Sequence, residues 1–397
     1  MTLVTKSSAK PIVRAWGWTA SACLLAFTIS ACQSTQSTET SATNDTTQSK
    51  AEVALTITDQ GCEPNALTVN AGETTFLITN KSSQPLEWEI LDGVKVLEER
   101  ENIAPGFVQK LKADLDEGQY DMGCGLRSNP KGKLIVNAGQ GTSQQKTVDQ
   151  GKLVGAIAEY KVYVLGEVEQ LVSQTKSFTD AVIAGDLATA QKLYAPTRVH
   201  WERAEPIAEL FSDLDGSMDA REDDFAKKAD DPKFTGFHRL EKALFKDKTT
   251  QGMKPFAEKL RADTLELQKR IKGLTIEPKN MVGGAAALIE EVAKTKISGE
   301  EDRYSRTDLW DFKANIEGSE KIVALLRPLL EKSDPALLTK IEGNFQQINT
   351  NLAKYKSPQG GFESYEKLTD GDRKQLKTII ATQAEDLSKL RGTLGVD

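Results

Sequence analysis

The chain has 397 residues, of which 39% are hydrophobic and 27% charged, and its formal net charge is −7. That length exceeds what one compact core needs and predicts two folded units plus unstructured segments. The ordinary composition excludes both a wholly disordered chain and a polytopic membrane protein. The first 31 residues hold Lys6, Lys10 and Arg14 and no acid, so removing those three charges takes the remainder from −7 to −10, which argues against a nucleic-acid partner. Only two histidines occur, His200 and His238, and chemistry that needs several imidazoles is excluded.

Residues 1–31 combine a basic start with an apolar stretch from Ala15 to Ile29, the pattern of a secretion signal. The run is short for a transmembrane helix. Ile29-Ser30-Ala31-Cys32 resembles the bacterial lipobox, which predicts lipidation, with palmitate among the acyl groups, at Cys32; plain cleavage near Ala31 and an uncleaved anchor are the alternatives. Residues 32–51, rich in Ser, Thr and Gln, cannot pack a core and predict a disordered tether to a membrane.

From 52 to 138 the pattern has period two, in Val53-Leu55-Ile57, Leu67-Val69, Phe76-Ile78, Trp88-Ile90 and Leu134-Val136, with turn residues between. Short strands with such punctuation predict a β-sandwich. The segments Leu67 to Asn80 and Gly118 to Val136 resemble the cupredoxin fold, but this stretch contains no His, so a blue-copper centre with two imidazoles is excluded. Two readings stand for what is left. Cys62 and Cys124 could form a disulfide that staples an exported domain by about 3–4 kcal/mol. Alternatively Cys62, Met122 and Cys124, completed by Glu87, could make a soft site for copper. Two lone cysteines in an oxidising compartment ordinarily pair, which favours the first.

A Gly/Ser/Gln-rich linker covers 139–148, and from 149 to 397 the period becomes helical, as in Leu153-Ile157-Tyr160-Val164-Val168-Leu171. About eight helices, arranged as tandem four-helix bundles, are expected. Two segments depart from bland amphipathicity. In the first, Glu202, Glu205 and Glu209 share a helix face, and Pro206 removes the hydrogen bond to Glu202 and predicts a kink. His200 lies about 200° around that helix from Glu202 and points elsewhere. In the second, His238 and Glu241 are i, i+3 neighbours, able to converge on one cation. By itself such a pair is as readily a His–Glu hydrogen bond.

Gly236-Phe-His238-Arg-Leu-Glu241 matches the G-x-H-x-x-E signature of imelysin-like proteins. The match extends over Tyr194 to Glu209, Phe211 to Asp223, and Gly299-Glu-Glu-Asp-Arg-Tyr-Ser to Trp310-Asp-Phe. With a cupredoxin-like domain in front, nearly all of 52–397 resembles the exported components of a bacterial iron-uptake family. That resemblance implies a non-enzymatic, periplasmic protein that takes up iron, Fe2+ or Fe3+, and passes it to an inner-membrane permease, with a haem-peroxidase-like partner; the lipobox departs from the family's better-known members, which are soluble in the periplasm, and would anchor this one to a membrane. The implied ligands are His238 and Glu241 with Glu202, Glu205, Asp219 and Glu301; carboxylates plus one imidazole suit a hard, highly charged ion. The copper-type domain is implied to oxidise or relay the ion. Two other classes compete. A metallopeptidase is one, but neither H-E-x-x-H nor H-x-x-E-H occurs and two His cannot furnish the usual zinc ligands. The other is cation-bridged binding of an acidic polysaccharide such as alginate.

Overall fold

The computed structural model describes residues 51–139, 150–294 and 296–396. The expected signal, Cys32 and nearly all of the tether and of the linker lie outside the described residues; Ala51, expected to close the tether, begins the first strand instead.

The amino-terminal domain contains β1 (Ala51–Thr58), β2 (Gly61–Glu63), β3 (Ala66–Asn70), β4 (Gly72–Asn80), β5 (Leu86–Asp92), β6 (Lys95–Ile103), β7 (Val108–Leu115), β8 (Gly118–Cys124) and β9 (Gly132–Asn137). They form two sheets, ordered β2-β1-β4-β7 and β3-β9-β8-β5-β6, with β1–β4 and β3–β9 parallel. Alternation places Leu55, Ile57, Phe76, Ile78, Trp88, Ile90, Leu134 and Val136 in one shared core. Each such side chain contributes roughly 1.5–3 kcal/mol on burial. Strand β6 does not alternate: it carries Glu98, Glu99, Arg100 and Glu101, and its pairing with β5 shifts register twice.

The helical domain contains α1 (Val154–Ala184), α2 (Leu187–Ala208), α3 (Ser212–Met218), α4 (Gly236–Glu241), α5 (Lys254–Gly273), α6 (Pro278–Lys294), α7 (Asp308–Ser333), α8 (Pro335–Ala353), α9 (Asp370–Ser388) and α10 (Leu390–Leu394). Asp186 caps α2 by accepting from the Thr189 N–H, and Asp334 and Thr369 cap α8 and α9 in the same way. Helices α1, α2 and α5 group with α4, while α6, α7, α8 and α9 make a second group. The two groups join where α2 packs on α6 and α7, and one continuous apolar core runs through both. Helices α3, α4 and α10 are shorter than the periodic pattern can register. No helix among the described residues is long and apolar enough to cross a membrane.

The domains meet through backbone as well as side chains. Lys95 at the start of β6 bridges Phe211, with Val96 N–H donating to Leu210 O at 3.0 Å and Ser212 N–H to Val94 O at 3.1 Å. Arg127 in the loop after β8 donates to Ser212 Oγ at 3.0 Å and Asp215 Oδ2 at 2.5 Å on α3, and pairs with Glu87 at 3.2 Å and Glu89 at 3.5 Å in its own domain.

Candidate metal centre

The signature glycine is a steric requirement. Gly236 has φ +78°, and a Cβ there would lie 2.1 Å from the carbonyl oxygen of Met218. Helix α4 therefore starts hard against the end of α3, which brings His238 beside Asp219. Gly299, at φ +76°, packs under the Tyr365 ring, where a Cβ would lie 2.2 Å from Cε1; the loop it opens turns both Glu301 and Asp302 inward. Directly after Glu241 the helix widens into a π turn, Lys242–Lys246, a deviation that often accompanies functional positions.

His238 is 2% exposed. Its Nδ1 lies 3.1 Å from Glu241 Oε2, and Glu241 Oε1 accepts from the Tyr304 and Ser305 N–H groups at 2.7 and 2.8 Å and from Ser305 Oγ at 3.1 Å. Glu241 is thus locked by the 304–305 backbone and in turn fixes the ring, the carboxylate–histidine arrangement found behind metal ligands. The other nitrogen, Nε2, is buried and makes no well-formed hydrogen bond. It faces Glu301 Oε1 at 3.4 Å and Asp219 Oδ1 at 3.6 Å. Asp219, His238 and Glu301 can together present one ligand atom each to a cation, and His238, Glu241 and Asp302 form an overlapping set.

The fully buried Arg198 threads this region, pairing with Glu202, Asp219 and Glu301 and with Asp311 at 3.2 Å. Arg221 donates to Glu301 at 2.9 Å. Buried Lys296 pairs with Glu202, and with Glu205 and Glu291 at 3.3 Å each. Burial pushes the Glu301 carboxyl up, but Arg221, Lys296 and His238 outweigh it and hold the group well below the usual range. For Asp219, Arg198 and His238 likewise outweigh burial. Burial and Arg198 press the His238 pKa down, yet Glu241, Glu301 and Asp219 raise it to about 10. The Glu202 carboxyl is pushed up to about 7 by burial despite Lys296 and Arg198. The protein's own cations thus hold Asp219 and Glu301 ionised, whereas burial dominates at Glu202.

Of the six residues implied by the resemblance, Asp219, His238, Glu241 and Glu301 gather around one imidazole, while Glu202 and Glu205 lie on the far side of Arg198, around Lys296. Asp219 belongs to both groups, since it also stands within reach of Glu202 and Glu205. Glu209, the C-cap of α2, stands within ligand reach both of Glu205 and Glu291 and of Glu99 and Glu101 on β6. Pro206 lies in the last turn of α2, whose helix ends at Ala208. His200 faces α1, at 2.7 Å from Glu167 and 2.9 Å from Gln174. Sequence reasoning passed over Arg198, Lys296, Asp302, Asp311 and Asn315. Arg198 lies four residues before Glu202, and that i, i+4 spacing was the available signal.

In the β domain Cys62 and Cys124 are bonded to each other across a sequence separation of 62. In this oxidised form neither offers a thiolate to copper, Glu87 is paired with Arg127, and Met122 is fully buried in the sandwich core. The copper set of Cys62, Glu87, Met122 and Cys124 is therefore not assembled as a ligand group here.

Two family models match the two domains: residues 156–393 match the one described as Imelysin, and residues 21–136 that of a Cupredoxin-like domain. A helical imelysin domain with a buried carboxylate–imidazole centre, behind a cupredoxin-like sandwich, is the class that fold and site define. The Iron uptake system component EfeO of Yersinia pestis is 66% identical over 346 residues, covering 87% of this chain and 92% of the relative. The proteins of that name from Escherichia coli strain K12 and Shigella flexneri are each 62% identical over 347 residues, with the same coverage. The chain belongs to this EfeO-like family of imelysin-domain iron uptake components. Among solved structures, a purple cupredoxin from Nitrosopumilus maritimus matches 21% of this chain and 99% of its own at 21% identity and a TM-score of 0.18, too low to bear on the fold.

Proposed function

We propose that the protein captures iron outside the inner membrane and hands it to a permease, holding the ion between His238 Nε2, Asp219 and Glu301. The observation that carries this reading is the buried His238 Nε2, which has no well-formed hydrogen bond and lies in ion-pair contact with two carboxylates. A desolvated imidazole nitrogen with anionic oxygens opposite it suits a hard or borderline cation, iron in either oxidation state among them. Glu241 serves as the orienting group and Arg198 and Arg221 as counter-charges to the carboxylates. Iron is cargo in this scheme, and no bond of a substrate is cleaved. A peptide substrate is also ill served, because His238 and Glu301 are 2% and 3% exposed and a scissile carbonyl would have to reach them. The name carried by the relatives supports the uptake role. Export, the anchor at Cys32, the permease and a haem-peroxidase-like partner complete the proposal, and the β domain contributes through its seam with α3.

The test is a calorimetric titration of the chelator-treated protein with anaerobic ferrous iron and with citrate-buffered ferric iron. His238→Ala abolishes binding at this centre, while Glu241→Gln weakens it by roughly 10–100-fold, as loss of an orienting partner does. Wild-type affinity in the His238→Ala protein would overturn the assignment. Acidic-polysaccharide binding that survives chelation would instead favour the alginate class.

A further inference from the structure

The His238 centre is closed to solvent, since His238 and Glu301 are 2% and 3% exposed, so an ion reaches it only past a side chain that moves. Where the two domains meet, they enclose a cavity of about 340 Å³, lined by Glu87 and Glu101 of the β domain and by Arg221, Glu291 and Glu300 of the helical domain. Arg221 stands between that cavity and the centre. Its Nη1 donates to Glu301 Oε2 at 2.9 Å, while the other oxygen of the same carboxylate, Oε1, lies 3.4 Å from His238 Nε2. Glu301 thus presents one oxygen to each side.

The segment that carries Arg221 is pinned by the β domain. Asp223 O accepts from Gln84 Nε2 at 3.0 Å, Asp224 O from the Arg127 N–H at 2.8 Å, and Ser128 Oγ from the Ala226 N–H at 2.9 Å. Asp224 Oδ2 in turn accepts from the Arg221 N–H at 2.6 Å and lies 4.0 Å from Arg221 Nε.

We infer that this interdomain cavity is the entrance to the His238 centre, that Arg221 is its gate, and that the β domain sets how readily the gate opens by holding residues 223–226. The inference rests on the iron-binding reading of the centre and adds the route to it. A cavity walled by Glu87, Glu101, Glu291 and Glu300 gathers cations at its mouth. When Arg221 leaves Glu301 its guanidinium keeps Asp224 beside it, so opening strands no unpaired cation. Glu301 Oε2 then becomes the first oxygen ligand that a hard cation meets on its way in. From there the ion has only to cross one carboxylate to reach Oε1 and His238 Nε2. The pinning bonds come from the loop before β5 and the loop after β8, which gives the sandwich a part in uptake that needs no copper.

The experiment is stopped-flow mixing of the chelator-treated full-length protein with anaerobic ferrous iron, read by quenching of tryptophan fluorescence. Release of the bound ion into a chromogenic ferrous chelator and an equilibrium titration accompany it. Gln84→Ala combined with Ser128→Ala loosens the pinned segment without touching the centre, and Arg221→Lys keeps the charge but shortens the reach. Entry and release are each expected to quicken roughly tenfold in both proteins. The Kd of the Gln84→Ala/Ser128→Ala protein stays at the wild-type value, because a gate alters the barrier and not the end states. Glu300→Lys in the cavity wall slows entry severalfold at low salt and not at high salt, whereas Glu258→Lys on α5, away from that wall, does not. Wild-type entry and release rates in both the Gln84→Ala/Ser128→Ala and the Arg221→Lys proteins overturn the inference, as does equal slowing by Glu300→Lys and Glu258→Lys. Failure of the His238 reading has a different signature, namely wild-type equilibrium affinity in the His238→Ala protein.

Discussion

Replacing Arg198 with Met tests the electrostatic design of the centre most directly. The guanidinium touches Glu202, Asp219, Glu301 and Asp311, and all five side chains are nine-tenths or more buried. Removing one partner of a buried ion pair costs about 3–5 kcal/mol because the remaining charge is left uncompensated. In a protein of this size that reads as a fall in apparent Tm of roughly 6–15 °C in chelator-treated samples. The sign of its pH dependence follows from linkage. In the wild type Asp219 and Glu301 have depressed folded values, so their contribution is present above the ordinary carboxylate range and is lost only on strong acidification. In the variant the carboxyls rise, and the folded state binds protons that the unfolded chain has released. Its stability then falls as pH rises. Differential scanning calorimetry between pH 5.5 and 8 should therefore show a deficit at pH 5.5 of less than half that at pH 8. A deficit that is the same at every pH would refute the charge argument and assign Arg198 to its stacking on Phe237, 5.4 Å away.

Gly236→Ala forces a Cβ into the Met218 carbonyl, and we expect loss of iron binding at the His238 centre by titration together with a Tm drop. Asp215, pushed up to about 7 by burial against the pull of Arg127, keeps a proton when folded that it has lost when unfolded between about pH 4 and 7. Its share of stability thus declines as pH rises through that window, by at most about 4 kcal/mol. Asp215→Asn removes this slope, so urea midpoints at pH 5 to 8 should show the variant gaining on the wild type as pH rises. Opening the Cys62–Cys124 bond with the double Ala variant releases a 62-residue loop and costs the β domain up to about 4 kcal/mol, measured by circular dichroism on urea unfolding, with iron titration of the helical domain unchanged.

The core strands were readable because Leu55, Ile57, Phe76 and Ile78 alternate with solvent-facing neighbours, and a pleated sheet with one buried face imposes that period. Strand β6 was not, because Glu98, Glu99 and Glu101 carry no alternation, and its pairing is fixed by β5 and by the seam with Phe211. At the centre, His238, Glu241, Glu202 and Glu205 were legible from helical spacing and family likeness. Lys296 was not, since it sits in an irregular segment after α6, where no periodicity dictates direction. A buried cation also has the wrong sign for a metal ligand, so ligand-seeking rules pass it by. The i, i+3, i+7 pattern reaches to Glu209, the helical C-cap of α2, which stands within ligand reach of Glu205 and also of Glu99 and Glu101 on β6.

The backbone bridge between Lys95 and Phe211, reinforced by Arg127, adds a noncovalent link between the two domains to the covalent one. Protease cutting between the domains tests its strength: we expect two bands on a denaturing gel and one particle on a native column. The helical domain then carries the sandwich as a bound subunit, and interdomain geometry becomes a matter of complex affinity rather than tether length.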